Sequence, residues 1–164
     1  MRKTIFAMLM SCTLVPVFAG ADDAEEQDVV REIGAALAWR LGPEAVADRC
    51  QSSDPEGIDV RRNALKAWLE KYAALIKAVD ESVAEVVPLI YKPPANVDAV
   101  QAVRAQVKAI LLEPIFDGKG AAESTAICKA EADPASPRWN NPGMPNVQQS
   151  LAALYDWKTR QTAK

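Results

Sequence analysis

The strongest constraint on the fold is an apolar stripe in the middle of the chain. Leu65, Leu69, Tyr72, Ile76, Val79, Val83 and Val86 follow one another at alternating steps of four and three residues. That spacing puts them on one face of a helix and does not fit the two-residue alternation of a strand. Asp59 is placed to cap the helix, and Pro88 stands just past its end. The helix expected from Val60 to Val87 is roughly 42 Å long at 1.5 Å per residue. Trp68, Leu75 and Val87 widen the stripe beyond the seam of a two-stranded coiled coil. This favours a central helix of a bundle over a homodimer through the Leu65–Val86 stripe, although such a stripe could serve either.

The flanking segments also have helical period. Val29, Val30, Ile33, Leu37 and Leu41 mark a helix from Ala24 to Leu41, which Gly42-Pro43 should stop before a short piece from Glu44 to Cys50. Leu89–Ala95 carries Pro93 and Pro94 and is expected as a connector. Asn96 should then cap a helix bearing Val100, Val103, Val107, Ile110 and Leu111, ended by Pro114 and Gly118-Lys119-Gly120. Ala121–Ala132 reads as a further helix. Residues 133–146 form a proline-rich loop, and Asn146 with Gln149 resembles a capping box for a last helix with Leu151 and Leu154. The 29 alanines support the same class, since Ala is the best helix former. The expectation is an all-α, single-domain bundle of about five helices with a long central hairpin.

Residues 1–21 have the layout of a secretory signal peptide. Arg2 and Lys3 precede an apolar stretch from Ile5 to Phe18, and Ala19-Gly20-Ala21 is a small-x-small cleavage signal. A lipoprotein reading of Leu9-Met10-Ser11-Cys12 fits less well, because apolar residues continue past Cys12. The apolar stretch is too short to span a bilayer, and no later one reaches 18 residues, so no transmembrane segment is expected after cleavage. Removing residues 1–21 takes Arg2 and Lys3 away and leaves 143 residues, with 17 Lys+Arg against 22 Asp+Glu, a formal charge of −5. The expected location is the periplasm or the exterior.

In that compartment the two remaining cysteines, Cys50 and Cys128, read as one disulfide. Its loop of about 79 residues should disfavour the unfolded chain by roughly 4–5 kcal/mol in the loop-entropy account. A helical hairpin carries Cys128 back toward the start of the long helix, where Cys50 also lies, so the pairing and the topology agree. A redox-active pair would call for a Cys-x-x-Cys spacing, which the chain lacks.

The chain has no histidine. This removes His-based triads, His metal ligands and the usual near-neutral general base. No glycine-rich phosphate loop, metal-ligand cluster or haem motif occurs, so no cofactor and no metal are expected. The negative charge argues against nucleic acid. The leading expectation is therefore non-covalent binding of another envelope protein, as an inhibitor or immunity-type partner and not an enzyme. Arg138, Trp139 and Met144 in the proline-stiffened loop are the candidate partner-binding residues, since Trp, Arg and Met are enriched at interfaces. Arg61 and Arg62 are candidate electrostatic contacts; the alternative pairs them with Asp54, Glu56 or Asp59. Two other functions stay open. One is a carrier of an apolar small molecule lined by Trp68, Tyr72 and Tyr91. The other is a cell-envelope hydrolase working with carboxylates such as Glu44, Asp48, Glu81 or Glu85.

Overall fold

The computed structural model describes residues 24–133, 136, 139 and 144–163. These form six α-helices and one 3₁₀ turn, with no strand among the described residues. The helices are α1 (Ala24–Ser53), α2 (Ile58–Lys71), α3 (Ala73–Ile90), α4 (Ala99–Phe116), α5 (Ala121–Ala132) and α6 (Met144–Thr162), and the 3₁₀ turn is Pro55–Gly57. The all-α single domain and the Cys50–Cys128 disulfide, with Cα atoms 5.4 Å apart, are as expected. The signal segment lies outside the described residues.

The element boundaries differ from expectation in two instructive places. Gly42-Pro43 does not stop the first helix, and α1 runs through it for 30 residues. A mid-helix proline costs about 3 kcal/mol for its missing donor and its clash with the preceding turn. Here Leu41, Gly42, Pro43, Ala45, Val46 and Cys50 are all buried, so tertiary packing on both sides of the proline offsets that penalty. Conversely, the single long helix is two helices. Tyr72 leaves helical geometry at φ −108°, ψ 17°, dividing α2 from α3, yet Tyr72 N still donates to Trp68 O and Ile76 N to Tyr72 O. The Tyr72 ring is wedged at that joint, 5.8 Å from the Trp39 ring and 5.5 Å from that of Trp68.

Smaller corrections concern the caps. Gly57, not Asp59, precedes α2, and Asp59 sits in the first turn and pairs with Arg62 at 2.7 Å. Asp98, not Asn96, caps α4; its side chain accepts from Val100 N at 2.9 Å and Gln101 N at 3.1 Å. Pro88 and Pro114 lie inside the last turns of α3 and α4 and not beyond them. The last helix begins at Met144, which puts Asn146 inside it.

The core has three parts. The largest joins α1, α3, α4 and α6 through Ile33, Leu37, Val79, Val83, Val103, Val107, Leu154 and Trp157. α1 and α6 run antiparallel, as Glu32 near Ser150 and Glu25 near Arg160 show. Of the heptad stripe, Tyr72, Ile76, Val79, Val83 and Val86 are buried within the chain, and Leu65 and Leu69 are half-buried. The second cluster is small: Val46, Cys50, Phe116 and Cys128, flanked by Leu112, Ile115 and Ile127. The third is aromatic, with Trp68, Tyr72, Ile76 and Trp139 packed beside Trp39.

Candidate functional site

Of the five residues expected to meet a partner, two are interior. Trp139 is 6% exposed, packs in the aromatic cluster, and donates its indole N–H to Glu131 O at 2.9 Å. It anchors the long connector to α5 instead of being displayed. Arg61 is only 2% exposed. Its guanidinium bonds the Asp54 carboxylate at 2.5 Å and the carbonyls of Asp54, Cys50 and Cys128. The pairing with Asp54 is therefore the correct alternative for Arg61, and the charge faces inward. Arg62, about 100° further round α2, is exposed and pairs with Asp59 at 2.7 Å. Arg138 and the Met144 side chain lie outside the described residues.

The aromatic residues considered as a ligand lining are packing instead. Trp39 and Trp68 have ring centroids 5.0 Å apart, and Tyr72 closes on both within the range of favourable tilted and edge-on ring contacts. Tyr91 packs against the main core.

The carboxylates considered for chemistry are each engaged by a cation. Lys108 pairs with Asp48 at 3.7 Å, Lys77 with Glu81 at 3.7 Å, and Lys158 with Glu85 at 2.7 Å. Glu44 belongs to a partly buried network joining three helices. Arg40 of α1 donates to Glu44 at 2.7 Å and to Asp80 of α3 at 3.4 Å, and Arg104 of α4 reaches Asp80 at 2.6 Å. Burial works against the charged Arg40, but hydrogen bonding and attraction from Glu44, and then from Asp80, outweigh it and raise its pKa above the ordinary arginine range. Stability from a raised arginine pKa is fully present below the unfolded value, far above neutrality, so Arg40 stays charged throughout the neutral range. Among the described residues no group of three or more His, Cys, Asp or Glu is placed to hold a metal ion. No described helix is long and apolar enough to cross a membrane.

The surface feature that sequence reasoning missed lies on the outer side of the α2–α3 joint. An open groove of about 530 Å³ is floored by Leu69, Ala73, Ile76 and Ala84 and edged by Lys77, Asp80 and Glu81. Its apolar positions belong partly to the heptad stripe and partly to the face beside it. Leu69, Ala73, Ile76, Asp80 and Ala84 follow steps of four, three, four and four, so they share one helical face that continues past Tyr72, where the Tyr72 N to Trp68 O and Ile76 N to Tyr72 O hydrogen bonds are kept. In the sequence that spacing and the small residues Ala73 and Ala84, which leave room beside larger neighbours, are the hints of it. At one edge, Asp80 is held by the Arg40–Arg104 network, so its position is set from below by α1 and α4.

Comparison with protein-family models, with curated proteins and with solved structures returns no match, so the groove and the charge networks are read from their own chemistry.

Proposed function

We propose that the chain is a small exported helical protein, periplasmic or secreted, that acts by non-covalent binding of another envelope protein in an inhibitor or immunity-type role. The observation that carries this reading is the α2–α3 groove. It offers an apolar floor with charges of both signs at its edge, Asp80 held by Arg40 and Arg104 and Lys77 exposed to solvent, a composition that lets a partner side chain be desolvated while its neighbours are matched electrostatically. The scaffold around it suits such a role, because a surface held in its bound shape loses less freedom on docking. The Arg40–Asp80–Arg104 network ties α3, which carries most of the groove, to α1 and α4, and the disulfide ties α1 to α5. Export is supported by the Arg2-Lys3 start, the Ile5–Phe18 apolar stretch and the small-x-small site at Ala19–Ala21.

The test is affinity capture from periplasmic extract with three oxidised baits that begin at residue 22. They are the intact protein, a variant with Ala73→Arg and Ala84→Arg, and a variant with Arg138→Ala and Met144→Ala, which leaves Trp139 in its cluster with Ile76. One protein recovered near stoichiometrically by the intact bait and by the Arg138 and Met144 variant, but lost with the double arginine variant, supports the groove. Loss with the Arg138 and Met144 variant alone would move the contact to the 133–146 segment. Equal capture by all three, or none by any, would remove the proposal.

A further inference from the structure

A second arrangement, at the opposite end of α2, has chemistry of its own. Both half-cystines are wholly buried, and the main-chain carbonyls of both accept hydrogen bonds from the same guanidinium. Arg61 Nη2 lies 3.1 Å from Cys50 O, and Arg61 Nη1 lies 3.3 Å from Cys128 O. Arg61 also holds the Asp54 carboxylate and Asp54 O, just past the end of α1. Thr125 of α5 donates to Ser53 O at 2.8 Å, adding a further tie between the same two helices. The end of α1 would otherwise present orphan carbonyls, and a cation there is favoured by both hydrogen bonding and the helix dipole.

We propose that Arg61 is a positioning residue that sets the redox stability of the Cys50–Cys128 disulfide. A reducing thiolate must attack one of the two sulfurs, form a mixed disulfide with it and release the other cysteine as a thiolate. A second external thiol then displaces the protein thiol, so that two electrons and two protons reduce one disulfide to two thiols. Both steps need α5 to move away from α1, because neither sulfur is exposed. While Arg61 holds the two carbonyls, the released cysteine stays beside the mixed disulfide and expels the external thiol, which restores the original bond. In thermodynamic terms the clamp raises the effective concentration of one cysteine toward the other. The linkage is reciprocal: the closed disulfide also keeps the buried ion pair assembled.

The experiment is equilibrium of the folded, full mature protein with reduced and oxidised glutathione, read as the effective concentration of the cysteine pair. Arg61→Met should lower it at least tenfold. Arg61→Lys, which keeps the charge but cannot reach four acceptors in a fixed fork, should lower it at least threefold. Arg62→Met, altering the exposed neighbour, should leave it unchanged within twofold. Leu154→Ala serves as a control of a different kind, since it weakens the main core without touching the clamp, and it too should stay within twofold. If Arg61→Met does not retain its helical circular dichroism in the oxidised form, Arg61→Lys decides alone. Values for the Arg61 variants within twofold of the parent would overturn the proposal. So would an equal fall in Leu154→Ala, which would assign the effect to global stability.

Discussion

The two ends of the bundle are held together by different physics. At the α1–α3–α4–α6 end, fifteen buried residues among those described form one apolar cluster. At the α1–α2–α5 end the buried apolar cluster has four members, two of them the disulfide cysteines. Hydrophobic burial there is limited, and a covalent bond and a buried ion pair stand in its place. The first kind of contact degrades gradually as atoms are removed, because transfer and cavity terms scale with size. The second is all or nothing: a buried charge without its partner is far worse than no charge at all.

The largest effect should come from breaking the ionic end. Arg61→Met leaves the Asp54 carboxylate buried and unpaired, and should cost about 3–5 kcal/mol in urea unfolding. A loss below about 1 kcal/mol would mean that Asp54 finds water or neutralises readily, and the contrast between the ends would fail. Leu154→Ala, fully buried in the main core, should cost about 2–4 kcal/mol by the same measurement, with Arg61 contacts intact. Gly57→Ala sharpens the comparison through backbone space and not charge. A Cβ at Gly57 would fall on Asp54 Oδ2 and Arg61 Nη1, closer than 3.0 Å to each, although the Gly57 φ of −85° is open to any residue. The expected loss is about 1–3 kcal/mol, since the displaced atoms belong to a packed ion pair. Thermal unfolding of Gly57→Ala alongside Gly118→Ala separates this cause from backbone strain. Gly118 has open space around its absent Cβ but a φ of +68°, so any loss there is conformational. Smallest of all, Arg62→Ala should change stability by less than about 0.5 kcal/mol, because its pair with Asp59 is solvent-exposed.

Much of the fold was legible from local pattern. The stripe from Leu65 to Val86, the Val29–Leu41 stripe and the Ala121–Ala132 segment all appear as helices, and Cys50 joins Cys128. Local signals mislead at two places, the helix-stopping preference of Pro43 and the heptad spacing that runs through Tyr72. The buried residues on either side carry α1 through the proline, and three packed aromatic rings meet where the helix is interrupted at the tyrosine. The site residues were less legible. A tryptophan among prolines has the composition of a binding loop whether its ring points outward or, as Trp139 does, inward to the Glu131 carbonyl. Adjacent arginines 61 and 62 look alike in sequence, and a turn of about 100° per residue around the helix separates an interior charge from a solvated one.

The sequence by itself determined the class of structure, because helical period and cysteine pairing in an all-α chain are set by spacing along the chain. It also excluded histidine chemistry outright. Only the tertiary structure decided which charge went inside. Arg61 is acceptable in the interior because Asp54, Cys50 and Cys128 supply acceptors from three places, the last of them 67 residues away. Periodicity is a local property, whereas burying a charge depends on partners that only the completed packing brings together.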